Sequence, residues 1–190
     1  MSMLSDILNF NETFVEEKQY EKYETTKFPD KKIVILTCMD ARLTELLPKA
    51  MNLKNGDAKI IKSAGAIVNH PFGGITRSIV ISLYELQAEE VYIIGHHDCG
   101  MSSIDTTQLM DKMVERGIDK NHFHTLKYSG IDMEEWLRGF NDVTESVKSS
   151  VNAVKNHPLI DRRVPIHGLV IDPQTGKLDT IVNGYDCLKK

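Results

Sequence analysis

Two short segments of the chain carry residue types that could perform chemistry. The first is CMDAR at 38–42, and the second is GHHDCG at 95–100. Cys38, His96 and Cys99 would together offer two thiolates and an imidazole, a ligand set that zinc accepts. Three protein ligands leave one tetrahedral position free, which is typical of a catalytic zinc site rather than a closed structural one.

Asp40 and Arg42 add a carboxylate and a guanidinium beside the first candidate ligand. Asp40 could occupy the fourth zinc position, or it could turn toward Arg42 and leave that position to water. Arg42 suits the second arrangement because its planar fork binds a carboxylate through two hydrogen bonds. We therefore expect Arg42 to hold Asp40 off the metal, and Asp40 to accept a hydrogen bond from the water.

Both segments follow runs that are typical of buried strands. Residues 32–38 and 90–95 are short, apolar and rich in β-branched side chains, and 58–61 is a third such run. The first two runs end at the two candidate segments. Because functional groups gather where the strands of an open parallel sheet end, we expect the two segments to meet in space.

Helical spacing of apolar residues appears between the strand-like runs. It is found at 43–51, at 75–86 and at 134–156, where it predicts the longest helix with a core stripe that starts at Trp136. Strands that alternate with helices predict an α/β fold with a mainly parallel central sheet flanked by helices. Asp98 is interpreted as a cap for the helix that begins near Gly100.

The two ends of the chain predict two further features. Residues 1–23 have roughly helical spacing with a charged far side, so we expect this helix, in an arm at 1–28, to pack on a partner subunit. Residues 164–182 hold two strand-like runs around the turn sequence DPQTG at 172–176, which predicts an antiparallel hairpin at the C-terminal edge of the sheet.

Length and composition restrict the class of protein. A chain of 190 residues predicts one domain over 1–190, and the net charge of -4 gives no attraction to nucleic acid or anionic lipid. No apolar run is long enough for a membrane span, and the N-terminus lacks a secretory signal. Three cysteines are too few for a disulfide framework, which favours a reducing cytoplasm.

The patterns C-x-D-x-R and G-H-x-x-C-G, in this order, resemble the β-class carbonic anhydrases, and in particular their small prokaryotic branch. The resemblance is close over 32–101. It implies a zinc lyase that hydrates CO2 reversibly to bicarbonate and a proton by metal-hydroxide attack. It also implies Cys38, His96 and Cys99 as the zinc ligands, Asp40 and Arg42 as a catalytic pair, and a homodimer or dimer-based oligomer.

Three departures from the family pattern lie near the expected mouth of the site. Ser63 replaces an Asn, Ala66 replaces a Gly, and HPFGG at 70–74 replaces a segment that is usually acidic. They leave open a related zinc hydrolase of another small linear substrate such as CS2, or a non-catalytic zinc-binding relative. The presence of both Asp40 and Arg42 argues against the second, and the absence of a C-x-x-C pair argues against a thiol redox protein.

Overall fold

The fold is built on one five-stranded sheet in a computed structural model that describes residues 2–188. The strands are β1 (Ile33–Cys38), β2 (Ala58–Ser63), β3 (Glu90–His96), β4 (Ile166–Ile171) and β5 (Leu178–Val182). Their order across the sheet is β2-β1-β3-β4-β5. All neighbours are parallel except β4 and β5, which are antiparallel. The predicted sheet and its hairpin edge are therefore confirmed, while Met1, Lys189 and Lys190 of the predicted domain lie outside the described residues.

Seven helices accompany the sheet in the described residues. They are α1 (Met3–Glu16), α2 (Leu43–Ala50), α3 (Gly74–Tyr84), α4 (Thr106–Glu115), α5 (Asn121–Tyr128), α6 (Met133–Leu137) and α7 (Val143–Lys155). Helices α3 and α7 cover one face of the sheet and α2 packs on the other. The central strand β1 is buried on both sides. Val34 and Leu36 belong to the apolar cluster that includes α3 and α7, and Ile35 belongs to the cluster that includes α2. This burial explains why β1 is apolar along nearly its whole length.

Helix α7 lies very close to the sheet. A Cβ atom added at Gly95 would come within 2.8 Å of side-chain atoms of Val143 and Val147. A Cβ atom added at Gly168 on the neighbouring strand would likewise lie 2.8 Å from Val147 and 3.0 Å from Val151. The two glycines therefore let α7 approach the strand that carries His96.

The prediction of one helix over 134–156 is wrong, because the chain forms α6 and α7 with a break at 138–142. Gly139 lies so close to the backbone of Met101 that any Cβ would overlap its carbonyl oxygen. The N–H of the next residue, Phe140, donates to that oxygen at 3.2 Å. Asp142 then caps α7 by accepting from the N–H of Glu145 at 2.8 Å.

The break also changes the surroundings of Trp136, which is 63% exposed rather than part of the core. The later part of the predicted stripe is confirmed, since Val147, Val151 and Val154 are buried. Helices α4 and α5, to which the sequence assigned no element, contain no buried residue. Neither helix therefore contributes a side chain to the buried core.

Candidate metal centre

The three predicted ligands come together at one edge of the sheet. Cys38 is the last residue of β1, His96 is the last residue of β3, and Cys99 lies in the turn that follows. Because β1 and β3 are parallel neighbours, their carboxyl ends meet. The Sγ atoms of the two cysteines are 3.9 Å apart, and all three ligand atoms lie within 4.8 Å of one another. All three side chains are buried.

The ring of His96 is oriented by the backbone. Its Nδ1 lies 2.8 Å from the carbonyl oxygen of His97, which can only accept, so Nδ1 carries the hydrogen. In the neutral imidazole, which is the form that binds metals, the other ring nitrogen, Nε2, then presents its lone pair. Nε2 is buried and has no hydrogen-bond partner in the described residues. A buried lone pair beside two thiols fits a metal ion with a preference for nitrogen and sulfur.

The two thiols differ in acidity. Burial alone would raise the pKa of Cys38, but the neighbouring His96 ring and the backbone at Asp40 and Gly65 lower it to about 7. Burial raises the pKa of Cys99 to about 11, and the neighbouring Cys38 sulfur contributes to the rise. A divalent cation between them would favour the thiolate form of both. The cluster thus has the donor chemistry of a soft metal site.

Asp40 is held by Arg42 beside these ligands. Its Oδ1 accepts from the backbone N–H of Arg42 at 2.8 Å and from Nε at 3.0 Å, and its Oδ2 accepts from Nη2 at 2.8 Å. These hydrogen bonds lower the pKa of Asp40 to about 2. Oδ2 also lies 3.8 Å from Nε2 of His96. The carboxylate is therefore charged, and it is within reach of the metal ligands while bound to the guanidinium.

Asp98 has a different place from the one that the sequence suggested. Its carboxylate accepts from Nη1 of Arg42 at 2.8 Å, and its backbone oxygen accepts from Nη2 at 2.8 Å. The interpretation of Asp98 as a helix cap is thus wrong. Its backbone has a φ of 52°, a left-handed conformation that Asp tolerates better than most residues. The only sequence signal for this role was an Asp inside the H-x-x-C spacing.

A mostly apolar cavity of about 360 Å³, with Ser63, Asn69 and Arg138 as its polar lining, lies beside the end of β2. One wall is Ser63, which lies opposite Cys38 in the register of β1 and β2. Its apolar lining includes Ile67, Ile75, Met101, Ile104, Leu109 and Leu137. Trp136, predicted as a core residue, lines this cavity instead. The cavity suits a small uncharged molecule better than an ion.

Comparison with known proteins gives the family. Residues 33–178 match the family described as carbonic anhydrase. Bacillus subtilis (strain 168) YtiB is 61% identical over 186 residues, which cover 98% of this chain and 100% of YtiB. The crystal structure of β-carbonic anhydrase isoform I from Trichomonas vaginalis superposes with a TM-score of 0.89 at 38% identity and covers 97% of this chain and 100% of that one.

The chain therefore belongs to the carbonic anhydrase family, and within it to the β class. The resemblance drawn from the two sequence patterns is confirmed, and so is the expectation of an enzyme. A carbon disulfide hydrolase of Acidithiobacillus thiooxidans is 29% identical over 159 residues, covering 78% of this chain and 76% of that protein. No helix within residues 2–188 is long and apolar enough to cross a membrane.

Proposed function

We propose that this carbonic anhydrase holds one zinc ion through Sγ of Cys38, Nε2 of His96 and Sγ of Cys99, and interconverts CO2 with bicarbonate and a proton. The observation that carries the proposal is the convergence of three buried ligand atoms within 4.8 Å of one another. Zinc in that place would supply a Lewis acid that lowers the pKa of a bound water and so makes hydroxide available at a lower pH than in bulk water.

Asp40 and Arg42 prepare this chemistry by controlling one carboxylate. Arg42 binds both carboxylate oxygens of Asp40, which would keep this carboxylate from becoming a fourth ligand of the zinc. Asp40 keeps its charge, since its pKa is about 2, and orients a solvent molecule by accepting a hydrogen bond. CO2 carries no charge and needs no ion-pairing partner, so the mostly apolar cavity beside Ser63 would suit it. The same donors would have no need of a displaceable carboxylate in a purely structural site.

The decisive experiment is stopped-flow CO2 hydration on protein of measured zinc content between pH 6 and 9. We expect one zinc per chain and a rate that rises from neutral toward alkaline pH, because two thiolates and a neutral imidazole leave the bound Zn²⁺ formally uncharged and its acidifying effect modest. A zinc-loaded protein without hydration activity would support the non-catalytic relative. A rate that does not change over this range would contradict the proposed chemistry.

A second candidate substrate is CS2, the substrate named for the relative from Acidithiobacillus thiooxidans. CS2 is also small, linear and uncharged, so the cavity beside Ser63 is chemically compatible with it. The same zinc-loaded preparation can be incubated with CS2 while released sulfide is measured. We favour CO2, and a higher kcat/KM for CS2 than for CO2 would reverse that assignment.

We further propose that the protein forms a homodimer through α1. None of the residues of α1 is buried, and six of its large apolar side chains are 53–75% exposed. These side chains are Met3, Leu4, Ile7, Leu8, Phe10 and Val15. A second copy of the chain would cover this surface. Sedimentation velocity should give a dimer or a multiple of it, and Ile7→Asp should shift the protein toward the monomer, whereas Glu12→Gln on the same helix should not.

The extent of the domain and the compartment are proposals of the same kind. We assign the zinc domain to 1–190 with the arm at 1–28, and limited proteolysis that separates two stable fragments would refute it. We propose a reducing cytoplasm, because the sulfurs of Cys38 and Cys99 are 3.9 Å apart and must stay reduced to bind zinc. Fractionation of cells that produce the protein tests the compartment.

A further inference from the structure

The pairing of Asp40 with Arg42 has a duplicate elsewhere in the chain. Arg163 binds Asp161, two residues before it, through its backbone N–H at 2.9 Å, through Nε at 3.0 Å and through Nη2. The same three groups of Arg42 bind Asp40. An Asp-x-Arg spacing therefore produces this contact on its own, without help from a metal centre.

The two pairs differ in what else the arginine contacts. Arg42 uses Nη1 and Nη2 to bind the carboxylate and the backbone oxygen of Asp98, both at 2.8 Å. The Arg42 side chain is 41% exposed and that of Arg163 is 90% exposed. Asp98 is thus the feature that distinguishes the arginine at the metal centre from an ordinary surface pair.

The position of Asp98 in the chain makes this contact informative. It lies in the turn between His96, the last residue of β3, and Cys99, whereas Arg42 and Asp40 follow β1. The left-handed backbone at Asp98, with a φ of 52°, accompanies the contact between its carbonyl oxygen and the guanidinium. Because the Asp98 carboxylate is 84% exposed, solvent screens its charge. Its main effect on Arg42 is therefore to fix the orientation of the guanidinium.

We propose that Asp98 is a positioning residue, which binds the Nη1–Nη2 edge of Arg42 next to the Nε–Nη2 edge that binds Asp40, and so fixes the guanidinium where it keeps Asp40 turned from the metal. The inference rests on the proposed role of the Asp40–Arg42 pair and extends it to a third residue. Arg42 is then bound between the two strand ends that supply the ligands. A movement of the end of β1 or of β3 would therefore shift Arg42 and, with it, the carboxylate of Asp40.

Two substitutions distinguish the effect of the Asp98 carboxylate from the effect of the left-handed backbone at this position. Asp98→Gly removes the carboxylate but adopts the left-handed backbone without strain, and Asp98→Asn keeps both that tolerance and an oxygen that can accept from Nη1. We expect Asp98→Gly to lower kcat roughly 3- to 10-fold with little change in KM, and Asp98→Asn to recover most of the loss. Loss of zinc from Asp98→Gly in proportion to its lost activity would overturn the proposal.

A double-mutant cycle tests the route of the effect. Asp98→Gly should change kcat in the natural background but not in protein that already carries Arg42→Ala. An equal fold loss of kcat in both backgrounds would overturn the proposed role of Asp98, but it would not contradict the proposed role of the Asp40–Arg42 pair. A normal rate in Arg42→Ala alone would instead refute the proposed function of that pair.

A second readout requires neither zinc nor activity. In metal-free, ¹⁵N-labelled protein, the Nε–H of Arg42 should exchange with solvent more slowly than that of Arg163, whose hydrogen bonds within residues 2–188 include no counterpart of Asp98. Asp98→Gly should accelerate the exchange at Arg42 and leave Arg163 as an unchanged internal reference. Identical exchange at Arg42 with and without the Asp98 side chain would overturn the proposal.

Discussion

Replacing Arg42 by alanine should retain the metal and abolish most of the activity. The change removes the Nε and Nη2 hydrogen bonds that hold the two oxygens of Asp40. After a discount for partial exposure, each charge-assisted bond corresponds to about a 10-fold change in equilibrium, so the preference of Asp40 for its present position should fall roughly 100-fold. Asp40 is then free to turn toward the ligands, since its Oδ2 is already 3.8 Å from Nε2 of His96.

The assay combines stopped-flow CO2 hydration with zinc analysis and a visible spectrum of the cobalt-substituted protein. We expect full metal content, kcat reduced by about 100-fold, and loss of the pH-dependent spectral change that an open solvent position gives. Arg163→Ala is the matched control, because it removes the same contact from Asp161 far from the centre and should leave kcat unchanged. Loss of zinc from Arg42→Ala would refute the reasoning, since Arg42 would then support the ligands themselves.

Three other predictions concern acidity, metal removal and the chain break. Arg42 lowers the pKa of Asp40 from 3.8 to about 2, so the contribution of this ion pair to stability is complete above about pH 4 and is lost as the pH falls toward 2. The urea midpoint of metal-free protein should therefore drop over that range, and it should drop less in Asp40→Asn. Chelation of zinc should abolish activity and leave the far-ultraviolet circular dichroism spectrum unchanged, because both ligand strands are paired and buried in the sheet; a collapse of that spectrum would contradict this. Gly139→Ala should lower the free energy of unfolding by about 1–3 kcal/mol, measured by urea titration, because its Cβ would overlap the carbonyl of Met101, whereas Gly100→Ala has open space and should not.

Much of the sheet could be predicted because its strands are nearly uniform in character. The runs at 32–38 and 90–95 are apolar along most of their length, as strands buried on both faces must be, and they end at the chemical groups. Parallel strand ends share one edge of a sheet, so the convergence of Cys38, His96 and Cys99 followed from order and polarity alone.

The features that the sequence did not reveal depend on contacts between distant parts of the chain. Helical spacing continues through 138–142, but the close approach of Gly139 to Met101 interrupts the helix there. The D-x-x-E pattern from Asp142 to Glu145 was a local signal of a new helix start that periodicity obscured. The contact of Asp98 with Arg42 depends on a left-handed backbone that no spacing rule specifies.

The pairing of β1 with β3 has a consequence for how the enzyme matures. Two of the three donors are the terminal residues of adjacent strands, so the sheet has already gathered them before any ion arrives. In small zinc modules that fold only around their ion, scarcity of metal means scarcity of folded chain. Here zinc starvation would leave an intact but idle population, which a later supply of metal could switch on without new synthesis.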